Sequence, residues 1–262
     1  MNETASISVL PEVSLSEILS LTSPRNVCRA ATVSKEFKSA ADSDTVWKRF
    51  LPPDYDEVIA QAVSPVAFDS QKKLYLHLSD SHILLDRGYL SFQLDKESGK
   101  KCYMLGARGL SIAWKDDTRY WEWGHIPESR FPEVCILRQV WWLEIRGRIA
   151  AVKLSPKSTY VAYLVFRTTG YVSGLAVPGK TKVIYGGTEM KTENVYLERP
   201  GAIGRTGHVP VFPWRRKDGW MEIKLGEFEC NEGDDGVVEM AFDEHEAWKN
   251  GLIVEGIELR PK

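Results

Sequence analysis

The chain has 262 residues, 43% of them hydrophobic, which is enough to build one large or two small domains. Its 34 basic and 36 acidic residues nearly balance, and this argues against a general nucleic-acid binder, which needs a basic excess on one face. No uncharged apolar run reaches the ~18 residues of a membrane helix, and the first residues lack the regions of a signal peptide, so we expect no membrane partner and a location in nucleus and cytoplasm.

Four short helices are predicted in residues 10–52, because polar capping residues alternate there with short apolar runs. The capping residues are Ser14, Ser23, Ser34 and Asp44. About forty residues cannot bury enough surface to be stable alone. The apolar residues that exceed what this bundle can hide are Leu10, Pro11, Ile18, Leu19, Val33 and Trp47. They either form an interface or pack on the rest of the chain, and the pattern alone leaves both open.

The segment LPEVSLSEILSLTSPRNVCRAATVSKEFKSAADSDTVWKRFLP, residues 10–52, resembles an F-box of the plant type. Its Leu-Pro opening, Ile-Leu pair, Ser-Pro-Arg turn and Val-Trp pair fall in the order of that family. F-boxes dock on the Skp-type adaptor of a cullin–RING ubiquitin ligase, through the Leu-Pro, Ile-Leu and Val-Trp positions. The resemblance therefore implies that the six apolar residues form an adaptor-binding surface, with cullin and RING subunits as further partners.

Residues 53–104 are predicted to be an ordered connector, made of a short helix and a hairpin. QKKLYLHLSD places Leu74 and Leu78 at helical spacing, and ILLDRG follows as a turn. LSFQL and KCYML are strands that flank the loop DKESGK. The segment lacks the Gly, Ser or Pro richness of a flexible linker.

Residues 105–262 are predicted to be strands of period two, separated by Gly, Pro and Asp. The strand runs are LEIRGRIAAVKL, TYVAYLVFRTT, GWMEIKLGEF, VVEMAF and GLIVEGIELRP. No helix long enough for a crossover lies between them, so the sheets should be antiparallel and packed as a β-sandwich. The fold class expected for the chain is thus α+β and multidomain, a small all-α bundle followed by a β-sandwich.

The stretch AWKDDTRYWEW, residues 113–123, places three tryptophans and a tyrosine beside a charged turn. A hairpin of this kind can present rings near its mouth, where a sugar stacks its C–H face on a ring and its hydroxyls meet charged groups. The candidate carbohydrate-binding residues are Trp114, Tyr120 and Trp121. Trp142, Trp220 and Trp248 lie in or beside strand runs and are expected in the core.

Six motifs in register, among them ARGLSIAWKDDTRYWEW, VWWLEIRGRI and GLIVEGIELRPK, resemble the Nictaba-like lectins, or phloem lectins. That family is a jelly-roll-like β-sandwich that binds N-glycan or N-acetylglucosamine-type sugars. Its sugar-contacting tryptophans correspond to Trp114 and Trp121, while Trp123 takes the inner position. Two features depart from the family: Val237 stands where an acidic residue is expected, and the Gly-rich stretch 168–196 lacks a basic run.

Catalytic signatures are absent from the sequence, which carries none of the G-x-S-x-G, P-loop, H-E-x-x-H or G-x-G-x-x-G motifs. The carboxylates of GEFECNEGDDG and the basic patch PWRRKDGW are most simply solvated turns. Cys28, Cys102, Cys135 and Cys230 are scattered without metal-ligand spacing, so we expect reduced thiols, no metal and no cofactor.

The leading hypothesis is a non-catalytic receptor that docks on the ligase adaptor through 10–52 and selects a glycan or glycoprotein target through 105–262. Two alternatives stay open. The sandwich is either a lectin that acts without ligase assembly, or a pure protein-interaction module that has lost sugar binding. If the helices dock on an adaptor, Ile18, Leu19 and Trp47 should be exposed in the isolated chain.

Overall fold

The computed structural model describes residues 10–190, 193–201 and 210–262. They form two compact units. The first comprises the described residues up to Ile83 together with Phe92–Lys101, and the second comprises Leu84–Ser91 together with Cys102–Lys262. The first unit is mainly helical and the second consists of antiparallel sheets, so the α+β fold class is confirmed. The finer division at residues 52 and 104 stays a prediction.

The helices of the first unit are short. They are α1 Glu12–Ser20, α2 Pro24–Ala30, α3 Lys35–Asp42, α4 Asp44–Phe50, α5 Tyr55–Ala60 and α6 Gln71–Asp80. Two of the predicted caps are confirmed, because the Ser23 hydroxyl accepts a hydrogen bond from Asn26 N and the Ser34 hydroxyl accepts one from Phe37 N. In the part of the chain described, no helix has the length and apolar character needed to cross a membrane.

The other two predicted caps are wrong. Helix α1 begins at Glu12, directly after Pro11, so Ser14 lies inside the helix. Asp44 is the first residue of α4 rather than its cap, and its carboxylate instead accepts a 2.8 Å bond from Gln71 N at the start of α6. Both errors have the same cause. A polar residue before an apolar run has the pattern of a helix cap, but it can also lie within the first turn of that helix or bind the start of another helix.

Trp47 is the centre of the helical core. Its ring lies 5.8 Å from Phe50 and 5.3 Å from Tyr75, and its Nε1 donates to Ala41 O at 2.6 Å. Leu15 and Leu19, one turn apart on α1, are buried with it. Helix α1 thus turns these two leucines inward and leaves the opposite face free.

The second unit contains most of the strands. They are β1 Ile83–Leu85, β2 Leu90–Leu94, β3 Lys101–Gly106, β4 Ser111–Ile112, β5 Trp121–Gly124, β6 Val134–Leu137, β7 Leu143–Ala150, β8 Ser158–Ser173, β9 Gly179–Tyr185, β10 Thr188–Glu189, β11 Asn194–Val195, β12 Trp214–Arg215, β13 Met221–Cys230, β14 Val237–Glu244 and β15 Asn250–Pro261. Among the described strands, one sheet has the order β1-β2-β3-β15-β8-β13-β12, with β6 on β15 and β5 on β6. The other has the order β10-β9-β14-β7-β4, with β11 on β9.

The two sheets face each other closely. A Cβ on Gly226 of β13 would lie 2.7 Å from Cγ2 of Val183 on β9, so this position has no room for a side chain. Tyr185 of β9 and Phe228 of β13 also pack across this space, with ring centroids 5.3 Å apart. The sandwich predicted from the alternating strands is therefore present.

The Gly-rich stretch 168–196 is largely strand, since β8 runs to Ser173 and β9 covers Gly179–Tyr185; its residues 191 and 192 lie outside the described residues. The patch PWRRKDGW is not a solvated turn at Arg216, whose guanidinium lies 2.7 Å from Glu222 and 2.5 Å from the buried Glu258. The partners of this arginine are distant in sequence, so no local pattern could show its burial.

Candidate functional site

The predicted adaptor-binding residues divide into an exposed group and a buried group. Ile18 and Val33 are 45% and 69% exposed, and Leu10 and Pro11 are exposed as well. Leu19 is 5% exposed and Trp47 is fully buried. The expectation that Leu19 and Trp47 are exposed in the isolated chain is therefore wrong, because Trp47 packs against Phe50 and Tyr75 and Leu19 lies on the buried side of α1.

Two further apolar residues of α1 and its end belong with the exposed group. Val13 is 78% exposed and Leu21, the C-cap of α1, is 66% exposed. The sequence indicated this exposure, because five residues between positions 13 and 21 are apolar and the buried side of a nine-residue helix cannot accommodate all of them. We call the exposed set the α1 face; its members are Leu10, Pro11, Val13, Ile18 and Leu21.

Trp114 is the exposed ring of the aromatic hairpin, and Tyr120 beside it is partly exposed. Trp114 is 59% exposed and adopts a left-handed backbone conformation with φ 64°, which turns the chain after β4. Its ring lies 6.0 Å from that of Tyr120 at an angle of 51°. The Arg119 guanidinium lies 5.4 Å from the centre of the Tyr120 ring and bonds to the Asp117 carboxylate, so charged groups lie directly beside the two rings.

The turn between these rings is fixed by its own polar contacts. The Lys115 ammonium donates to Leu110 O at 2.6 Å and to Arg108 O at 3.2 Å. The carboxylate of Asp117 accepts two bonds from the Arg119 guanidinium, which hold the pKa of Asp117 below its usual value. These contacts hold the turn that joins Trp114 to Tyr120 in a defined conformation.

Trp121 and Trp123 are placed the other way round from the sequence-based expectation. Trp121 is 1% exposed, and its Nε1 donates to Ala113 O at 2.9 Å, so it belongs to the core. Trp123 is partly exposed, with the Arg108 guanidinium 3.6 Å from its ring centre. Trp121 thus supports the hairpin from beneath and offers no free face to a ligand.

Arg108 is held over Trp123 by an ion pair. Its guanidinium donates two bonds to Glu133, at 2.9 and 3.1 Å. These bonds raise the pKa of Arg108 and lower the pKa of Glu133, so both groups stay charged at neutral pH. The face of Trp123 is consequently occupied by a cation of the same chain.

Two tryptophans expected in the core are exposed. Trp142 and Trp248 are 51% and 56% exposed, and Trp141 is 48% exposed, whereas Trp220 is fully buried as expected. Trp142 directly precedes β7 and continues the outward-facing side of that strand. The run VWWLEI indicated that one of its two tryptophans is exposed, because adjacent residues of a strand cannot both point inward.

The acidic turn after β13 lines an open cleft of about 630 Å³. Asp234 accepts a hydrogen bond from Tyr185 Oη and one from Asn231 N, and these bonds lower the pKa of Asp234. Glu227 pairs with Lys224 and Lys262. These carboxylates are ionised and structural, and they lack the raised pKa of a general acid. Among the residues described, no group of three or more His, Cys, Asp or Glu side chains could hold a metal ion.

Two parts of the sequence match known families. Residues 7–52 match the F-box-like family, and residues 100–261 match the family described as phloem protein 2. The F-box protein PP2-B10 of Arabidopsis thaliana is 42% identical over 268 aligned positions, covering 99% of this chain and 96% of that protein. The F-box protein PP2-B1 of the same plant is 37% identical over 302 aligned positions, covering 97% of this chain and 89% of that protein.

Proposed function

Since the chain belongs to the phloem protein 2 family and carries an F-box-like domain before it, we propose that it is the substrate-recognition subunit of an SCF-type cullin–RING ubiquitin ligase. The F-box-like domain binds a Skp-type adaptor, and through it the cullin and RING subunits. The chain itself performs no catalysis, because ubiquitin is transferred by the E2 enzyme that the RING subunit recruits. It works in nucleus and cytoplasm, where such ligases act.

The observation that carries the adaptor-binding proposal is the α1 face. Val13, Ile18 and Leu21 expose apolar side chains on a short helix whose other side is already filled by Leu15 and Leu19. Clusters of exposed apolar side chains on a small helical domain mark protein-binding sites. Leu19 and Trp47 contribute indirectly, since their burial fixes the orientation of α1.

We further propose that the sandwich selects its target through a sugar bound at Trp114 and Tyr120. The support is the contact between the exposed Trp114 ring and the partly exposed Tyr120 ring, beside charged hydrogen-bonding groups, in a domain of the phloem protein 2 family. The burial of Trp121 reduces this site to one tryptophan and one tyrosine. Binding at such a small site is weak, about −4 kcal/mol for a millimolar Kd, so protein contacts of the target would add to it.

The burial of Trp121 also favours a second candidate, in which the sandwich reads a protein surface without a sugar. The experiment that separates the two is a glycan array probed with the full chain co-purified with a Skp-type adaptor. Sugar reading predicts a set of bound glycans whose signal is lost in Trp114→Ala and kept in Trp214→Ala, an exposed ring on the other sheet. An adaptor-bound chain with no glycan signal would refute sugar reading and leave the protein-binding candidate.

A further inference from the structure

A cavity of about 410 Å³ lies within the first unit, and none of the residues that line it belongs to the α1 face. Its walls come from α2, α4, α6 and the loop between β2 and β3. The apolar part of the lining consists of Pro24, Trp47, Tyr75 and Leu76, with the thiol of Cys28 among them. Pockets that bind small molecules measure about 300–1,000 Å³ and are lined mainly by apolar and aromatic side chains, so this cavity has the size and lining of a ligand site.

The inner end of the cavity is aromatic. Trp47 and Tyr75 are almost fully buried, and their ring centres lie 5.3 Å apart. The polar atoms of both rings already have partners within the chain. Trp47 Nε1 donates to Ala41 O at 2.6 Å, and Tyr75 Oη donates to Lys96 O at 3.3 Å. A ligand therefore meets ring surfaces here rather than free hydrogen-bonding groups, and these surfaces favour an aromatic body.

The mouth of the cavity is charged. The side chains of Arg25, Lys96 and Glu97 line it, and all three are largely exposed. Within the described part of the chain, the carboxylate nearest to the Arg25 guanidinium is that of Glu97, at 3.7 Å, which is too far for a hydrogen bond. An exposed ion pair of this length is weak. A carboxylate on the ligand can therefore take the place of Glu97 and accept two hydrogen bonds from Arg25.

The loop between β2 and β3, which carries two of the mouth residues, is held by its own bonds. The carboxylate of Asp95 accepts bonds from Ser98 N at 2.8 Å and from Ser98 Oγ at 2.6 Å, and Asp95 O accepts one from Gly99 N at 2.8 Å. Gly99 has a φ of 70°, and a Cβ at this position would lie 2.7 Å from Phe50 O. The loop is thus fixed close to the end of α4, and a ligand that enters the cavity has little to reorganise.

We propose that this cavity is a binding site for a small aromatic carboxylate. The aromatic body packs against Trp47 and Tyr75, and the carboxylate pairs with Arg25 at the mouth. A neutral aromatic compound fits the inner end equally well but gains nothing from Arg25, and an aromatic cation would meet the positive charges of Arg25 and Lys96. The inference concerns a site separate from the α1 face and from the sandwich, so it does not rest on adaptor binding or on sugar binding.

The test is the rate at which iodoacetamide alkylates Cys28 in the full chain, measured by peptide mass spectrometry with 2-naphthoate or 2-naphthamide at rising concentration. Cys28 is an exposed free thiol that lines the cavity, so a bound ligand shields it. Saturating 2-naphthoate should slow the alkylation of Cys28 at least about fivefold, because alkylation requires access to the sulfur, and should leave the rate at Cys102 unchanged. The uncharged 2-naphthamide should need about three to five times the concentration for the same protection, the value of an exposed ion pair.

Two variants locate the bound compound. Arg25→Gln, at an exposed side chain, should abolish the preference for 2-naphthoate and leave protection by 2-naphthamide unchanged. Arg29→Gln is its matched control, because Arg29 is an exposed arginine of the same helix that does not line the cavity, and it should behave like the wild type. Leu76→Trp should fill the cavity and remove protection by both compounds.

Three results would overturn the proposal. The first is a wild type in which neither compound protects Cys28. The second is equal protection by the two compounds, or a preference for 2-naphthoate that persists in Arg25→Gln, because the carboxylate then has no role at Arg25. The third is protection of Cys28 by a purified Skp-type adaptor but not by 2-naphthoate, which would assign the cavity to a protein interface.

Discussion

Replacing Trp121 by alanine is expected to destabilise the sandwich rather than to remove a ligand contact. The ring is 1% exposed and its Nε1 bonds to Ala113 O at 2.9 Å. Truncation of a buried tryptophan costs about 3–5 kcal/mol, and an orphaned carbonyl adds about 1–3 kcal/mol where water cannot replace the bond. Trp114→Ala should cost no more than about 0.5 kcal/mol, because its ring is 59% exposed and alanine bears the same left-handed backbone cost.

Thermal unfolding of the two full-length variants, followed by near-ultraviolet circular dichroism, measures this difference. At about 2–4 °C per kcal/mol for a unit of this size, the 3–5 kcal/mol of the Trp121 cavity lowers Tm by about 6–20 °C. Trp114→Ala should melt within about 2 °C of the wild type. A Trp121→Ala variant that melts like the wild type and has only lost ligand binding would refute the assignment of Trp121 to the core.

Three further predictions follow from the buried charges and the thiols. Lys249→Met should lower the free energy of unfolding by about 3–5 kcal/mol, because it leaves Glu244 buried without its partner. In thermal unfolding, the double variant Lys249→Met/Glu244→Leu should recover most of this loss. A double variant as unstable as the single one would contradict the reasoning. Burial alone would raise the pKa of Glu258, but the guanidinium groups of Arg130, Arg216 and Arg260 outweigh it and lower that pKa. The Glu258 carboxylate therefore stabilises the fold at pH values above the ordinary glutamate pKa, and this contribution is lost as the pH falls through the lowered pKa of Glu258. The difference in urea stability between the wild type and Glu258→Gln should accordingly close in acid. A difference that does not change with pH would contradict this reasoning. Cys28 is exposed, whereas burial raises the pKa of the Cys135 thiol to about 12. Iodoacetamide should therefore label Cys28 first, as measured by peptide mass spectrometry. Faster labelling of Cys135 would show that the site around it opens.

The fold followed from local patterns where the chemistry is local. The hydroxyls of Ser23 and Ser34 cap helices because their partners are three residues away, and the strand runs alternate because one side of each strand meets the other sheet. The same patterns could not place Asp44, whose partner Gln71 is 27 residues away. Nor could they show that Arg216 is buried, since its partner Glu258 lies 42 residues further along the chain.

The candidate sites were predictable as segments but not as individual side chains. Trp121 and Trp123 lie two residues apart on β5, and no property of the segment says which ring is covered by Ala113 and the core and which by Arg108. In α1, the apolar residues were visible, yet only the packing of Leu15 and Leu19 decides that Ile18 and Leu21 face outward. Which member of an apolar pair is exposed is thus set by tertiary contacts.

Direct titration of the full chain with a purified Skp-type adaptor tests the central claim. The wild type should bind, and Ile18→Asp and Leu21→Asp should each weaken binding at least tenfold without a change in Tm, because a charge is then placed on the α1 face. Val152→Asp, at an exposed valine of the other unit, is the matched control and should bind like the wild type. A wild type that fails to bind, or α1-face variants that bind as it does, would contradict the assignment of this chain as a ligase receptor that docks through α1.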